Sequence, residues 1–389
     1  MIERIAAVKL KQLASQYRVV TVIGPRQAGK STLCRLAFPH KQVVNLEAPD
    51  VLELASQDPR SFFQAYPDGC IIDEVQRCPT LLSYIQTIVD EREQPGQFIL
   101  TGSHQLLLMD QVSQSLAGRT AILKLLPLAS DELKQLDAGL DLNQVLFRGA
   151  YPEIVNKTLN PTEAYSYYVQ TYLERDVRQL QAIRDLSMFQ NLLRLLAGRS
   201  GSILNMASLS SDLGVSEGTI KNWISVAEAS FAVFRLKPYY RKLSRQMVKS
   251  PKLYFYDTGL LCYLLGIRSA EQLATHPLRG SVFETYVVSE CVKFLWNRAR
   301  ETNFYFFADK VLEIDLLVET AEGLVPIEVK SAATFHTDLT KRLKQATNRI
   351  TELKAQRLLV YGGEKSFASD GVEVVSVKEL SPVGNLLLS

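Results

Sequence analysis

The stretch GPRQAGKS at residues 24–31 constrains this chain more than any other. A glycine, four residues, then Gly-Lys-Ser is the spacing of a loop that wraps phosphate. Its flanks agree: RVVTVIG (18–24) is a β-branched run ending in glycine, the pattern of a buried parallel strand, and STLCRLAF (31–38) reads as a helix start. Gly24 and Gly29 let the backbone curl so that its N–H groups face the phosphates, and the helix N-terminus adds its dipole. The nucleotide-contacting residues expected from this loop are Gly24, Pro25, Arg26, Gln27, Ala28, Gly29, Lys30, Ser31 and Thr32. Lys30 is expected on the β- and γ-phosphates, and the Ser31 hydroxyl on Mg²⁺.

A second feature points the same way. GCIIDEVQ (69–76) is an apolar strand ending in two acids. Downstream of a phosphate loop, Asp73 suits Mg²⁺ and Glu74 suits polarising an attacking water, so the expected ligands are ATP and Mg²⁺. The plainer reading is a strand ending in a solvated acid pair. QFILTGS (97–103) is a third strand, expected between the first two. With QVVNLE (42–47) and the apolar run after Gly118-Arg119, the sheet has five parallel strands with helices on both faces.

Length and charge bound the rest. At 389 residues the chain suits two or three domains. Lys plus Arg number 44 and Asp plus Glu 41, so the net charge is only +3 and any nucleic-acid surface would be local. Five scattered cysteines without metal-ligand spacing read as reduced thiols. The start, MIERIAAVKLKQLASQ, carries charges throughout, unlike a signal peptide, and GLLCYLLGI (259–267) is half a membrane span. A cytoplasmic protein without membrane contact is expected.

GPRQAGKSTL, IIDEVQRCP, LTGSHQLL, SLAGR and RGAYPE (148–153) together resemble a family of bacterial and archaeal AAA+-type ATPases of poorly defined role, which carry a conserved C-terminal domain of unknown function. The resemblance runs along essentially the whole chain. It implies that Ser103 faces the γ-phosphate. It also implies that Arg119 is an arginine finger reaching a neighbouring subunit's site, and hence a homo-oligomer; a plain surface arginine is the alternative. It further implies a helical lid over 136–200, including TEAYSYYVQTYLERDVRQL (162–180), where Arg175 and Asp176 either couple lid to nucleotide or line a solvated face.

LSSDLGVSEGTIKNWISVAEAS (209–230) has the helix-turn-helix rhythm: a helix ending at Gly214, a short turn, and a helix from about Glu217, with Val215 and Ile220 behind. Residues 231–257 then read as two wing strands around a basic segment with Lys237, Arg241, Lys242, Arg245, Lys249 and Lys252 and the aromatics Tyr239 and Tyr240. That mixture suits DNA phosphates with some stacking, duplex or branched. The alternative is a module used only for packing.

In the last third, GSVFETYVVSECVKFLW (280–296) reads as an amphipathic helix, and NFYFFADK, VLEIDLLVET and LVPIEVKSA as strands. A helix over 336–352 and the strands RLLVYG and VEVVSV follow. Glu328 and Lys330 share one strand face, and a hairpin brings Asp315 beside Glu328. Two carboxylates and a carbonyl can hold a second Mg²⁺ or Mn²⁺, with Glu284 joining from the helix and Lys330 acting on a water. This D…ExK constellation resembles restriction-endonuclease-like nucleases; a fold kept for binding alone is the alternative. The expected architecture is α/β: a P-loop NTPase core of AAA+ type (1–135), a helical lid (136–200), a winged helix-turn-helix (201–270) and a restriction-endonuclease-like α/β domain (271–389). The expected function is ATP hydrolysis coupled to nucleic acid. The alternatives are a nucleotide-dependent switch working through protein contacts and an ATP-gated, metal-dependent nuclease.

Overall fold

The chain is seen in a computed structural model, which describes residues 2–103, 112, 114–136, 139, 141–173, 186–239, 250–346, 350 and 352–389. Five apolar runs form β1 (Val19–Ile23), β2 (Val43–Asn45), β3 (Ile71–Asp73), β4 (Phe98–Gly102) and β5 (Thr120–Lys124). They pair in parallel in the order β2–β3–β4–β1–β5. β4 lies between β1 and β3, as expected. β1, β3 and β4 are buried throughout because helices cover both faces. Leu10 and Leu33, from helices Ala6–Ala14 and Lys30–Ala37, pack on Val20, Val22 and Ile99; Ile85 and Val89, from helix Thr80–Arg92, pack on Val19, Ile72 and Phe98.

The charged start of the chain is not solvated. Arg4 is buried and its Nε lies 3.0 Å from Oε1 of the fully buried Glu132. The guanidinium also donates to the carbonyls of Ala28 (2.6 Å) and Leu126 (2.7 Å). Glu132 in turn accepts from the backbone N–H groups of Ile5 and Ala129. A buried pair is tolerated when its remaining donors and lone pairs are occupied, as they are here.

The middle of the chain is helical, and it ends in a hairpin. Helices Leu142–Arg148, Pro161–Tyr168 and Thr258–Leu264 pack together. Asp257 joins them, accepting from the Ala150 N–H, the Tyr165 hydroxyl and the Leu260 N–H at 2.6–2.9 Å. The expected helix over 162–180 passes into a π-helical turn at Val169–Leu173; Arg175 and Asp176 lie outside the described residues. Helix Met206–Leu213 stops at the left-handed Gly214, and Ser216 caps helix Glu217–Ala229 through the Thr219 N–H. The strands β6 (Val233–Leu236) and β7 (Lys252–Phe255) then form an antiparallel hairpin. Its tip, with Tyr240, Arg241, Lys242, Arg245 and Lys249, lies outside the described residues.

The second sheet is mixed. It contains β8 (Phe304–Ala308), β9 (Glu313–Thr320), β10 (Gly323–Lys330), β11 (Leu358–Tyr361), β12 (Phe367–Ser369) and β13 (Val372–Ser376), in the order β12–β13–β11–β10–β9–β8. Alternate residues face opposite ways: Leu316 and Val318 meet helix Arg279–Trp296, while Leu317 meets helix Lys341–Ala346. The long helix is not amphipathic as expected. It is buried nearly all round, because β7, β10 and helices Thr258–Leu264 and Ser381–Leu388 surround it. The helix expected over 336–352 is described only as a 3₁₀ turn at Thr337–Thr340 and the helix Lys341–Ala346.

Replacing Arg4 by alanine leaves Glu132 buried without its charge partner. The expected cost is about 3–5 kcal/mol, read as a lower melting transition of the first domain. A transition equal to wild type would show that the pair is not structural.

Candidate nucleotide site and the carboxylate cluster

The parallel sheet brings three strand ends together, and the loops that leave them carry the chemistry. Gly24 leaves β1 so close to β5 that a Cβ would stand 1.9 Å from the Leu125 carbonyl oxygen, which no side chain tolerates. The loop then turns through left-handed backbone at Gln27 (φ 61°) and Gly29 (φ 88°) before helix Lys30–Ala37 begins. Buried Lys30 donates to the carbonyls of Gly24 (3.0 Å) and Pro25 (2.8 Å), which holds its ammonium at the loop. Ser31 Oγ lies 2.7 Å from Asp73 Oδ2, and Thr101 donates to the other oxygen of that carboxylate. Glu74, left-handed at φ 56°, accepts from Ser103 Oγ at 3.0 Å and from Gln76. Thus Lys30, Ser31, Asp73, Glu74 and Ser103 converge, and Ser103 does so on Glu74.

Arg119 does not join them. It precedes β5, at the sheet end opposite the loop, roughly 16 Å away along five strand residues. Its guanidinium grips Asp90 with two bonds of 2.6 Å. The structure also adds residues that had no motif to announce them. Gln27 donates to Glu153 at 3.0 Å, and Arg4 holds the Ala28 carbonyl, so the RGAYPE turn and the N-terminus both touch the loop. Arg26 lies 3.6 Å from Glu47. Cys34, in the second turn of helix Lys30–Ala37, is an inert thiol; burial and the nearby Asp73 push it up to about 12. All five cysteines are buried and unpaired.

Residues 16–134 match the family model described as "AAA domain". Residues 279–380 match "Domain of unknown function (DUF4143)", and 139–271 match "Domain of unknown function (DUF8612)". The chain thus carries an AAA domain and, towards its C-terminus, a domain of unknown function. An uncharacterized protein of Mycobacterium tuberculosis is 28% identical over 388 residues, covering 98% of this chain and 85% of its own. An uncharacterized Haemophilus influenzae protein is 23% identical over 286 residues, 65% of this chain and 70% of its own. Among solved structures, the Walker-type ATPase of Pyrococcus abyssi aligns at TM-score 0.44 with 15% identity, covering 67% of this chain and 94% of that one. The RuvB Holliday junction branch migration motor of Thermotoga maritima aligns at TM-score 0.30 with 17% identity, covering 60% and 90%. In this AAA+-type chain the AAA fold implies nucleotide binding. One family model spans 139–271, across the division at 200 expected between lid and winged helix. Among the described residues, no helix is long and apolar enough to cross a membrane.

The AAA+-type chain has a second polar constellation in its C-terminal domain. Glu284, Asp315, Glu328 and Lys330 do come together, as their spacing required. Lys330 bonds Glu328 and lies 3.6 Å from Asp315, while Asp315 accepts from the Val329 N–H at 2.8 Å. The correction is Lys252. Expected on a DNA-facing wing, it is only 1% exposed. Its Nζ lies 3.1 Å from Glu284, 2.7 Å from Glu313 and 3.8 Å from Asp315. Tyr239, expected to stack on bases, instead packs against Tyr305 and donates to Glu352 at 3.2 Å. Arg342 adds a third cation, 3.4 Å from Glu328. Among the described residues no group of acids, histidines or cysteines is arranged to hold a metal ion, so the expected second Mg²⁺ or Mn²⁺ has no site there.

Burial, then the neighbouring Asp315 charge, push Glu284 and Glu328 up to about 7, against the pull of Lys252 and Lys330. Burial would lower Lys252, but Glu284, Asp315 and Glu313 outweigh it and raise it. Both glutamates hold a proton more tightly folded than unfolded. Folding therefore takes up protons between the ordinary value of 4.5 and about 7. The stability from these groups is complete below 4.5 and lost as pH rises through about 7. We expect the stability difference between wild type and Glu328→Gln to shift against wild type from pH 5 to pH 8 in paired denaturant titrations. A difference independent of pH would refute the assignment.

Proposed function

We propose that this chain hydrolyses ATP and couples that hydrolysis to nucleic acid. The observation that carries the ATPase half is the meeting of the Ser31–Asp73 pair with Glu74 beside buried Lys30, at adjacent strand ends. Lys30 binds the phosphates, aided by the loop N–H groups. The fit for Mg²⁺ rests on the donor set: a hydroxyl and a carboxylate oxygen already 2.7 Å apart, hard ligands of the kind the ion takes. Ser31 and Asp73 would hold it, and it would supply charge neutralisation at the phosphates. Glu74 polarises the attacking water. Ser103 and Gln76 act as positioning residues, holding the Glu74 carboxylate. Arg119 is too far from its own chain's loop to serve it; service to a neighbouring subunit, and the oligomer that would follow, rest on the resemblance, while its pair with Asp90 fits a plain surface arginine.

The nucleic-acid half is supported by helix Glu217–Ala229. Its first half exposes Glu217, Lys221 and Asn222 beyond the Gly214 turn, while Ile220, Trp223 and Ile224 face the core. A second reading, a switch that works through protein contacts, is favoured by one observation. The hairpin flanks are packed into the C-terminal domain: the Tyr239 N–H donates to the Phe306 carbonyl at 2.7 Å, and the Phe306 N–H to that of Lys237 at 3.1 Å.

ATP turnover decides between them. Lys30→Ala is expected to lose nucleotide binding or turnover. Glu74→Gln is expected to bind ATP and turn it over on the order of 10²–10⁴-fold more slowly. Wild-type turnover in Glu74→Gln sinks the hydrolysis assignment. Turnover raised by single-stranded, duplex or branched DNA supports the first reading, and turnover indifferent to all three supports the switch.

A further inference from the structure

Strand β7 reaches into the carboxylate cluster from outside the C-terminal domain, and what it delivers is a cation. Lys252 Nζ stands among Glu284, Glu313 and Asp315, where a divalent ion would have to stand to use the same oxygens. Several further contacts hold the cluster. Lys330 bonds Glu328 Oε1 and the Val329 carbonyl, Tyr254 donates to Glu284 at 2.7 Å, and the Val329 N–H occupies Asp315 Oδ2. One buried oxygen, Glu328 Oε2, has no hydrogen-bond partner. Mg²⁺ keeps several waters and binds through one or two carboxylates, so the ammonium groups in place, not a shortage of oxygens, stand against it. Four carboxylates thus face three cations, Lys252, Lys330 and Arg342, and two more positive charges would meet ammonium groups already in place.

The two inner acids are also closed off, while Glu313, at the rim, is 40% exposed. Asp315 and Glu328 are 3% and 0% exposed. The Gly201 N–H donates to the Leu253 carbonyl at 2.8 Å, so a turn of the preceding segment pairs with β7 where β7 meets Glu284.

We infer that this cluster is not a metal site but a lysine-filled clamp: Lys252 is its built-in cation, and it fixes the β6–β7 hairpin to the C-terminal domain. The domain then cuts no phosphodiester at these residues. It anchors the β6–β7 hairpin. The inference concerns a site separate from the phosphate loop and does not rest on ATP hydrolysis.

The test uses the full chain without nucleotide and Mn²⁺ as the probe, counted by paramagnetic resonance. An Asp73→Asn background removes any ion held at the phosphate loop. The expected result is no Mn²⁺ site at micromolar concentration, with or without Glu328→Gln. A bound Mn²⁺ that Glu328→Gln abolishes overturns the inference, and so does Mn²⁺-dependent nicking of DNA that Asp315→Ala abolishes. Lys252→Met gives the second arm. It should lower the C-terminal melting transition by roughly 5 °C or more, and Mn²⁺ should recover part of that shift by binding the freed carboxylates. An unmoved transition overturns the clamp. Should Lys252→Met fail to fold, the Mn²⁺ count on chains that keep Lys252 decides alone.

Discussion

The Arg4–Glu132 pair fixes more of this molecule than any other contact. Taking two charges out of water costs several kcal/mol per ion, and the cost is offset only when every remaining donor and lone pair has a partner. Here the partners are the parts that must be held. Arg4 takes the Ala28 carbonyl of the phosphate loop and the Leu126 carbonyl beyond β5, and Glu132 takes the Ala129 and Ile5 N–H groups. One buried pair therefore ties the N-terminus, the loop and the 126–132 segment into a single body.

That same segment is where the C-terminal domain attaches. The Ser130 N–H donates to Glu290 at 2.7 Å, and Lys293 donates to the Leu128 carbonyl at 2.9 Å, both side chains coming from helix Arg279–Trp296. The same helix carries Glu284, two turns earlier, into the cluster around Lys252. Elements anchored on one short rigid segment cannot move independently. A shift of the loop on nucleotide binding would be felt first at Arg4 and Glu132, and then at the start of the long helix's contacts. The apolar core has the same continuity, running from Val19 and Phe98 through Phe189 and Trp223 to Phe283 and Val318.

What could be read from the sequence follows from how local each signal is. The phosphate loop, the Asp73-Glu74 strand end and the place of β4 between β1 and β3 rest on short spacings and buried apolar runs, and each kept its place. Asp315, Glu328 and Lys330 were legible for a similar reason: acids inside apolar strands need partners, and a hairpin supplies them. Arg4 and Glu132 were not legible, because 128 positions separate them and neither carries a motif. Lys252 was misread for a subtler reason. A run of lysines and arginines beside tyrosines looks alike whether it faces solvent or not. Only the position of β7 against the second sheet decides that its last basic residue turns inward. The long helix was misread as amphipathic because its polar residues, Glu284, Glu290 and Lys293, are buried in ion pairs rather than solvated.

Those inward residues also narrow what the C-terminal domain can contribute. A metal-dependent nuclease needs carboxylates that are open to substrate and short of positive charge, so that the ion has a reason to bind. This domain presents the opposite: its inner acids, Asp315 and Glu328, are closed off and matched by lysines from two different strands. A clamp of that kind holds the hairpin base fixed relative to the second sheet. Whatever meets helix Glu217–Ala229 or the described part of the β6–β7 hairpin then acts on the C-terminal domain and, through Glu290 and Lys293, on the segment that holds the phosphate loop. The same contacts run in both directions, so a partner bound at the hairpin would bias the loop as much as nucleotide would bias the hairpin. Coupling of that form serves a nucleic-acid partner and a protein partner equally well, which is why turnover in the presence of DNA, rather than any further detail of the fold, separates the two readings.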